Sequence, residues 1–532
     1  MEVSAVAIIK RYQSLKAQRG AWEKLWDEVA TYVMPNKADF VADRPKGDKR
    51  GIDVYDSTAI QSNQLLAASL QGSLTPSSAR WFDLNFRSDD LNDNKEASEW
   101  LQECADIINT EFNQSNFNTE AGEAYLDLGA FGTAPMLFDI KEKNGAFDGF
   151  LFQSLHLGGV LIDQSHQGRI DTVFRTFKLT ARQAHQKWGD DAGAKVTKAL
   201  EKEPDKMFEF LQVIMPRELK GEIGLSAPPK MRPFACYYIS LTDKKIIVET
   251  GYYEMPVLSP RWGKITGDTY GYSPALIARA DIKTLNEARR LSFVAWEKSI
   301  DPPLLAEQNA ILGKFSFKHS TVSYVKDLNG IREMPQGTNW NADQLMLSDV
   351  RQSVRRIFFS DQLELQEGPN MTATEINVRY ELMQRMLGST FGRLQSEFLT
   401  PLVERAFYSM FRANALPEAP QAVLEMGGDL DIEYIGALAR SQRMEDVTNI
   451  QRLYAAAMEL AQAKPEVLDM LDADEALSTI AKRLGTPANI CKSKDVVAEE
   501  RQARAQQEQQ MAQAQEEQVS LDQAGQMQQL QQ

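Results

Sequence analysis

Apolar positions recur at three- and four-residue steps along most of the chain. Ile8, Ile9, Tyr12, Leu15, Trp22, Leu25, Trp26, Val29, Tyr32 and Val33 trace one such series, which predicts a helix over 4–33 ending before Pro35. Asp56 and Ser57 offer a cap for a second helix. Ala59, Leu65, Leu66, Leu70 and Leu74 form its apolar side, and Pro76 stops it. Further helices are expected over 95–113 and 120–132. The period then shortens. Residues 134–140, 147–155, 159–162 and 172–179 read as strands. Thr180 caps a helical pair expected over 181–212, and Gly221–Lys230 is rich in turn formers. Residues 234–240 and 245–250 alternate around Thr242-Asp243 and predict a hairpin. Residues 256–271 read as loop.

Helical periodicity returns at Ser273. Ser273 can cap, and Pro274 occupies the first helical position, where its missing N–H costs nothing. This helix runs to Ile300 and stops at Asp301-Pro302-Pro303. A small module follows to Trp340, with short strands expected at 315–317, 321–325 and 331–334. Asn341 and Gln344 form a cap-and-N3 pair that opens a helix to Phe359. Residues 361–371 break it. Thr372 and Glu375 make a capping box that opens a helix of about forty residues. Pro401 lies inside that helix, so a kink is expected near Glu397, one turn back. A strand is expected over 430–435, and helices over 439–463, 466–484 and 495–518. The last of these merges into a tail with 14 Gln among residues 501–532, too polar to bury a core.

Composition changes this picture little. The 532 residues are 43% hydrophobic and 25% charged, ordinary globular usage that supports a sizeable core. The net charge of -15 argues against tight nucleic-acid coating, which needs clustered cations, but is compatible with DNA passing without being gripped. Cys104, Cys236 and Cys491 lie far apart, so free buried thiols are expected in place of disulfides or a zinc site. No signal layout and no apolar run of membrane-spanning length is present, and the chain reads as soluble and cytosolic at synthesis.

Catalytic signatures are missing. The sequence has no phosphate loop, dinucleotide fingerprint, HExxH or GxSxG. His156 reads as a packed structural histidine and His319 as a surface one. The pairs Asp89-Asp90 and Asp190-Asp191 read as solvated loops. No enzyme and no cofactor is expected. A metal-dependent hydrolase using those aspartates is the weaker alternative, behind a helical scaffold or minor capsid protein without a channel.

The helix opened by Ser273 lacks a single apolar stripe. Leu276, Ile277, Ala280, Ile282, Leu285, Ala288, Leu291, Phe293, Val294 and Trp296 surround it, interrupted by Arg279, Lys283, Glu287, Arg289 and Arg290. A monomeric surface helix is one-sided, whereas one flanked by identical neighbours has this distribution. A partly buried helix in a large domain is the plainer reading.

The order of motifs resembles the portal, or head-to-tail connector, family of short-tailed (podovirus, T7-like) phages. The residues that carry the resemblance are Pro260-Arg261-Trp262, Tyr270 to Pro274, Asp281 to Glu287 and Asp301 to Leu304. They continue with Arg356 to Phe359, Met371 to Ile376 and Leu399 to Val403. Tyr12, Arg19, Trp22 and the Tyr32–Pro35 segment also match, as does the Ala/Gln-rich tail.

The resemblance implies an α+β, mostly helical portal fold that assembles into a ring, usually of twelve subunits, around a central channel at one capsid vertex. Carried over, the wing covers 1–272 and 372–436, the latter holding the long kinked helix. The stem helices are 273–300 and 341–360, the clip 301–340, the tunnel loop 361–371, the crown 437–497 and the flexible tail 498–532. The implied partners are double-stranded DNA, a terminase packaging motor, a tail adaptor, and the major capsid, scaffolding and internal core proteins. The implied place is the virion, after assembly in the host cytoplasm.

Gln366, Glu367, Gly368, Pro369 and Asn370 would face the axis. Arg351, Arg355 and Arg356 are candidate phosphate contacts, or else pair with Asp349, Asp361 or a neighbour's acids. Lys314, Lys318, Lys326 and Trp340 are candidate clip contacts. Asp361, Glu364 and Glu367 make the tunnel loop acidic, which favours a steric gate over a clamp.

Overall fold

The computed structural model describes the chain from Ser4 to Leu484, except 42–44, 46, 79, 89–90, 93, 144–145, 218–226, 302, 308–330, 334–339, 364–386, 427–429, 435–436, 462–470 and 472. Beyond that it describes Val497, Arg501 and Ala503. Gln366–Asn370, Asp89, Asp90, Lys314, Lys318, His319, Lys326, the Thr372 box, Cys491 and all of the tail but Arg501 and Ala503 lie outside the described residues.

Twelve strands are described: β1 Phe82–Phe86, β2 Met136–Lys143, β3 Ala146–Ser154, β4 Val160–Gln164, β5 Ile170–Thr180, β6 Met207–Pro216, β7 Phe234–Ser240, β8 Lys245–Tyr252, β9 Val257–Leu258, β10 Leu304–Ala306, β11 Ile331–Glu333 and β12 Leu430–Tyr434. The chain divides into two compact units, one holding residues 1–79 and 108–415, the other 80–107 and 416–532.

The larger unit is built on an antiparallel five-stranded sheet in the order β4-β5-β6-β7-β8. The period-two alternation of β6 supplies both faces. Leu211 and Val213 join Ile8, Leu161, Phe174, Ala235 and Ile239 in a core that Ala5, Ile9, Tyr12 and Leu15 also cover. These last residues belong to the helix Ala5–Val33, whose first turn is capped by Ser4. On the opposite face, Phe208 and Phe210 pack with Ala181, Ala184, Ala192 and Val196. The helix Ala181–Trp188 opens with a full Thr180/Gln183 capping box, as its sequence predicts.

The expected helical pair over 181–212 requires correction. Helix ends at Lys202, and Met207–Pro216 is the central strand. Pro204 denies the helix a backbone donor. The following Phe208, Phe210, Leu211, Val213 and Ile214 are aromatic, branched and buried on both sides, the pattern of a central strand. Within the expected loop 256–271, β9 pairs with β2 in a second sheet, β3-β2-β9. Phe150 and Phe152 of that sheet meet Phe112 and Phe117 at centroid distances of 5.1–6.1 Å, and Phe138 stacks on Phe152 at 4.5 Å.

Pro401 acts where expected. Its missing N–H leaves the Glu397 carbonyl without its usual donor, and the helix answers with a single π-helical turn, Gln395–Leu399, in which the Thr400 amide reaches back to the Gln395 carbonyl. The helix then continues as Thr400–Arg412. Ser273 caps as expected, accepting from the Leu276 amide at 3.0 Å. The helix behind it has a break at Ala278 and resumes as Arg279–Ile300.

In the smaller unit β1 pairs antiparallel with β12, joining Phe82 to Tyr434 and Phe86 to Leu430. Phe82, Leu84 and Phe86 are buried in it. The helices Ala437–Ala461 and Ala473–Leu484 belong to the same unit. Burial pushes the Cys104 thiol up to about 12, helped by Glu103. In the larger unit burial pushes the Cys236 thiol up to about 11, so both described cysteines stay protonated near neutrality.

The backbone of Gly271 passes directly over the Gly132 carbonyl. A side chain there would overlap that oxygen, and Gly132 itself sits at φ +77°. Gly271→Ala is expected to cost about 1–3 kcal/mol through overpacking, measured by urea denaturation. Gly388→Ala, in open space on a helix, is expected to stabilise by about 0.5–1 kcal/mol.

Candidate functional site

Two helices pack against each other, Arg279–Ile300 and Trp340–Ile357. A hydroxyl–carboxylate bond joins them, from Ser353 Oγ to Asp281 Oδ2 at 2.8 Å. Both are also fastened to the segment that precedes the helix Thr58–Leu74. The Asn286 carboxamide oxygen accepts from the Tyr55 amide at 2.7 Å, and its nitrogen donates to the Asp53 carbonyl at 2.7 Å. Asp56 accepts from the Thr58 amide at 3.0 Å and from Arg351 Nη2 at 2.7 Å. Asp56 therefore caps the helix that Ser57 was equally placed to cap. Burial works to raise the Asp56 carboxyl. The Thr58 hydrogen bonds and the Arg351 guanidinium outweigh it and hold the group below the usual carboxylate range.

Of the three arginines expected on the second helix, Arg351 is thus taken by Asp56 and not by Asp349 or Asp361. Arg355 and Arg356 stand in the last turn, both exposed, and neither has an ion-pair partner among the described residues. Trp340 begins this helix.

Ile282, Leu285 and Asn286 are buried, but the outer half of the first helix is not. Leu291 is 52% exposed, Phe293 42%, Trp296 57% and Ile300 65%. At about 100° per residue, Leu291 lies about 140–180° round the helix from the other three. The helix therefore offers apolar surface on opposite sides. Leu345 and Met346 on the second helix are exposed as well, as are Leu304 and Leu305 of β10. β10 pairs antiparallel with β11, and only β11 was expected.

At the far end of the second helix Phe359 adopts φ +59°, and a short helix, Ser360–Leu363, follows. A left-handed backbone costs about 1–2 kcal/mol for a residue with a Cβ. Phe359 lies 6.5 Å from the Trp262 ring. Trp262 is held in turn, its carbonyl accepting from Arg393 Nη1 at 2.6 Å.

Next to it is the most heavily bonded side chain among the described residues of the unit. Arg261 is 1% exposed, and its Nη2 pairs with Glu397 Oε1 at 2.6 Å. The same guanidinium donates to the carbonyls of Gly168 at 3.0 Å and Thr269 at 3.2 Å, while the Arg261 amide donates to Glu397 Oε2 at 3.1 Å. Glu397 sits within the π-helical turn. The turn forced by Pro401 thus carries the carboxylate that anchors the long helix to the Arg261 loop.

Residues 5–491 match the family described as bacteriophage head to tail connecting protein. The chain belongs to this family. It is 30% identical over 515 residues to a probable portal protein of Bordetella phage BPP-1, covering 94% of this chain and 91% of the relative. It is 27% identical over 521 residues to a portal protein of Salmonella phage epsilon15, covering 96% and 92%. The family is named for a structural task and not for a reaction.

In this chain Arg261, Arg19 and Asn286 are motif residues whose partners the sequence did not reveal. Arg19 is buried, donates to the carbonyls of Leu157, Gly158 and Val160, and pairs with Glu23 at 2.7 Å. His156 is structural, as expected. Its Nδ1 accepts from the Gly158 amide, which leaves Nε2 to donate to the Lys37 carbonyl at 3.0 Å. Asp190 and Asp191 occupy a short 3-10 turn, and among the described residues no group of three His, Cys, Asp or Glu is placed to hold a metal. Among those residues, too, no helix is long and apolar enough to cross a membrane.

Glu397→Ala strands a buried guanidinium and is expected to cost about 3–5 kcal/mol, read from denaturation midpoints. The Asp56 contribution has a pH signature. A carboxylate held below its ordinary value stabilises fully above that value, about 3.9 for aspartate, and the stabilisation is lost as pH falls through the lowered one. The stability gap between wild type and Asp56→Asn is therefore expected to be constant from pH 6 to 8 and to narrow in acid below about pH 4.

Proposed function

We propose that the chain is the portal subunit of a tailed phage. Its copies close into a ring, usually of twelve, at one capsid vertex, and double-stranded DNA is packaged and ejected through the central channel. The observation that carries this reading is the apolar surface on opposite sides of the helix Arg279–Ile300. A ring is made of heterologous contacts, in which each subunit meets its two neighbours through different faces. A helix between two such neighbours needs apolar residues on both sides. The match over nearly the whole chain to proteins called portal supports the same reading.

In the division proposed, residues 1–272 and 372–436 are wing, 273–300 and 341–360 stem, 301–340 clip, 361–371 tunnel loop and 437–497 crown. Arg355 and Arg356 touch phosphates transiently, while Arg351 is a structural arginine held by Asp56. Two exposed cations per subunit in a chain of net charge -15 guide the duplex without releasing many counterions, so it slides. The clip, with Lys314, Lys318, Lys326 and Trp340, meets the terminase motor and later the tail adaptor. The crown meets scaffolding and core proteins inside the head. Gln366–Asn370 narrow the channel as a steric gate. The assembled ring resides in the virion.

Native mass spectrometry and negative-stain class averages test the ring. The expected outcome is a closed ring of about twelve copies with an axial hole, which Leu291→Glu reduces to small species by placing a charge on one apolar face. A stable 59.9 kDa monomer at micromolar concentration overturns the proposal. Arg355→Ala/Arg356→Ala is expected to leave the ring mass unchanged and to lower the amount of DNA packaged per particle.

A further inference from the structure

We propose that Phe359 is a two-state hinge at the end of the second stem helix, which DNA phosphates at Arg355 and Arg356 drive from a left-handed to a helical backbone. This rests on the portal reading. The sequence from Ile357 to Leu363, Ile-Phe-Phe-Ser-Asp-Gln-Leu, contains neither glycine nor proline. Nothing local ends the helix, yet it stops at Ile357 and a new turn of helix starts at Ser360. Among the described residues only Lys244, Phe359 and Asn414 have positive φ without being glycine. Lys244 lies in the tight β7–β8 turn, and Asn414 follows a helix end, where asparagine is at ease. Phe359 has neither excuse.

Tertiary contacts hold the bend. Phe358 is fully buried, Phe359 faces Trp262, and the Ser360 hydroxyl lies 3.1 Å from both Ser62 Oγ and the Arg355 carbonyl. The Phe359 amide donates to the Arg356 carbonyl at 3.0 Å. In a continuous helix the Phe359 amide would bond the Arg355 carbonyl instead, and the Ser360 amide would bond that of Arg356. The two states thus exchange hydrogen bonds at the carbonyls of the two exposed arginines.

Phosphate discriminates between them. In the bent state Arg355 and Arg356 occupy the last turn, beside the partial negative charge of the helix end. Continuing the helix to Leu363 moves that end about 9 Å away and leaves both arginines mid-helix. An anion therefore binds the continuous form better, which is what shifting a two-state equilibrium requires.

Hydrogen exchange on the assembled full-length ring tests this without a variant. With duplex DNA held in the channel, the Ser360 amide is expected to exchange at least tenfold more slowly than in the empty ring; an unchanged rate overturns the hinge. The second test locks the bend with Ser62→Cys/Ser360→Cys. Oxidised, the ring is expected to keep its mass and to package at least tenfold less DNA, and a thiol reductant restores it. Equal packaging by oxidised and reduced rings overturns the proposal. Ring mass, measured separately, reports on the portal reading alone.

Discussion

A guanidinium sealed from water has to be satisfied on every side, and Arg261 organises the larger unit by that demand. Its five donors cannot be desolvated cheaply. The surroundings supply a carboxylate from the long helix and carbonyls from two loops. Those groups come from residues 168, 269 and 397, far apart in sequence. One ion therefore fixes where the long helix crosses the loop that leads to Ser273 and the helix Arg279–Ile300. The π-helical turn belongs to the same arrangement, because it re-aims Glu397 at the point where Pro401 has already broken the regular ladder.

The same principle recurs at lower stakes. Arg19 gathers the carbonyls around the 157–159 turn, and Asn286 holds the chain at Asp53–Asp56. Arg405 donates to the Phe138 and Glu254 carbonyls, and Arg412 grips the Glu254 carboxylate through two bonds of 2.7 Å. Loops and helices distant in sequence are joined by single polar side chains. Apolar surface is left exposed along the outer half of Arg279–Ile300.

Elements whose signal is local were legible in the sequence. The Ala5–Val33 helix, the Ser273 and Thr180 caps, the β7–β8 hairpin and the disturbance ahead of Pro401 follow from periodicity, capping chemistry and a missing N–H. β1 and β9 were not legible, being short and recognisable only through partners distant in sequence. β6 was misread because a dense apolar run suits either a buried helix or a central strand, and only its neighbours decide. Of the candidate site, the many-sided helix Arg279–Ile300 was visible as a composition pattern. The capture of Arg351 by Asp56 was not, since the partner lies 295 residues away.

The pairing of β1 with β12 sets a schedule for the newborn chain. Phe82, Leu84 and Phe86 leave the ribosome roughly 350 residues before their partner strand, about 20–70 s at ordinary synthesis rates. Throughout that interval the smaller unit lacks its larger segment, residues 416–532, whatever the larger unit has achieved. A chain that stops early exposes an unpaired aromatic strand, a target for chaperones and proteases. Synthesis past Tyr434, about four-fifths of the way along the polypeptide, is thereby written into the structure as a condition for hiding β1.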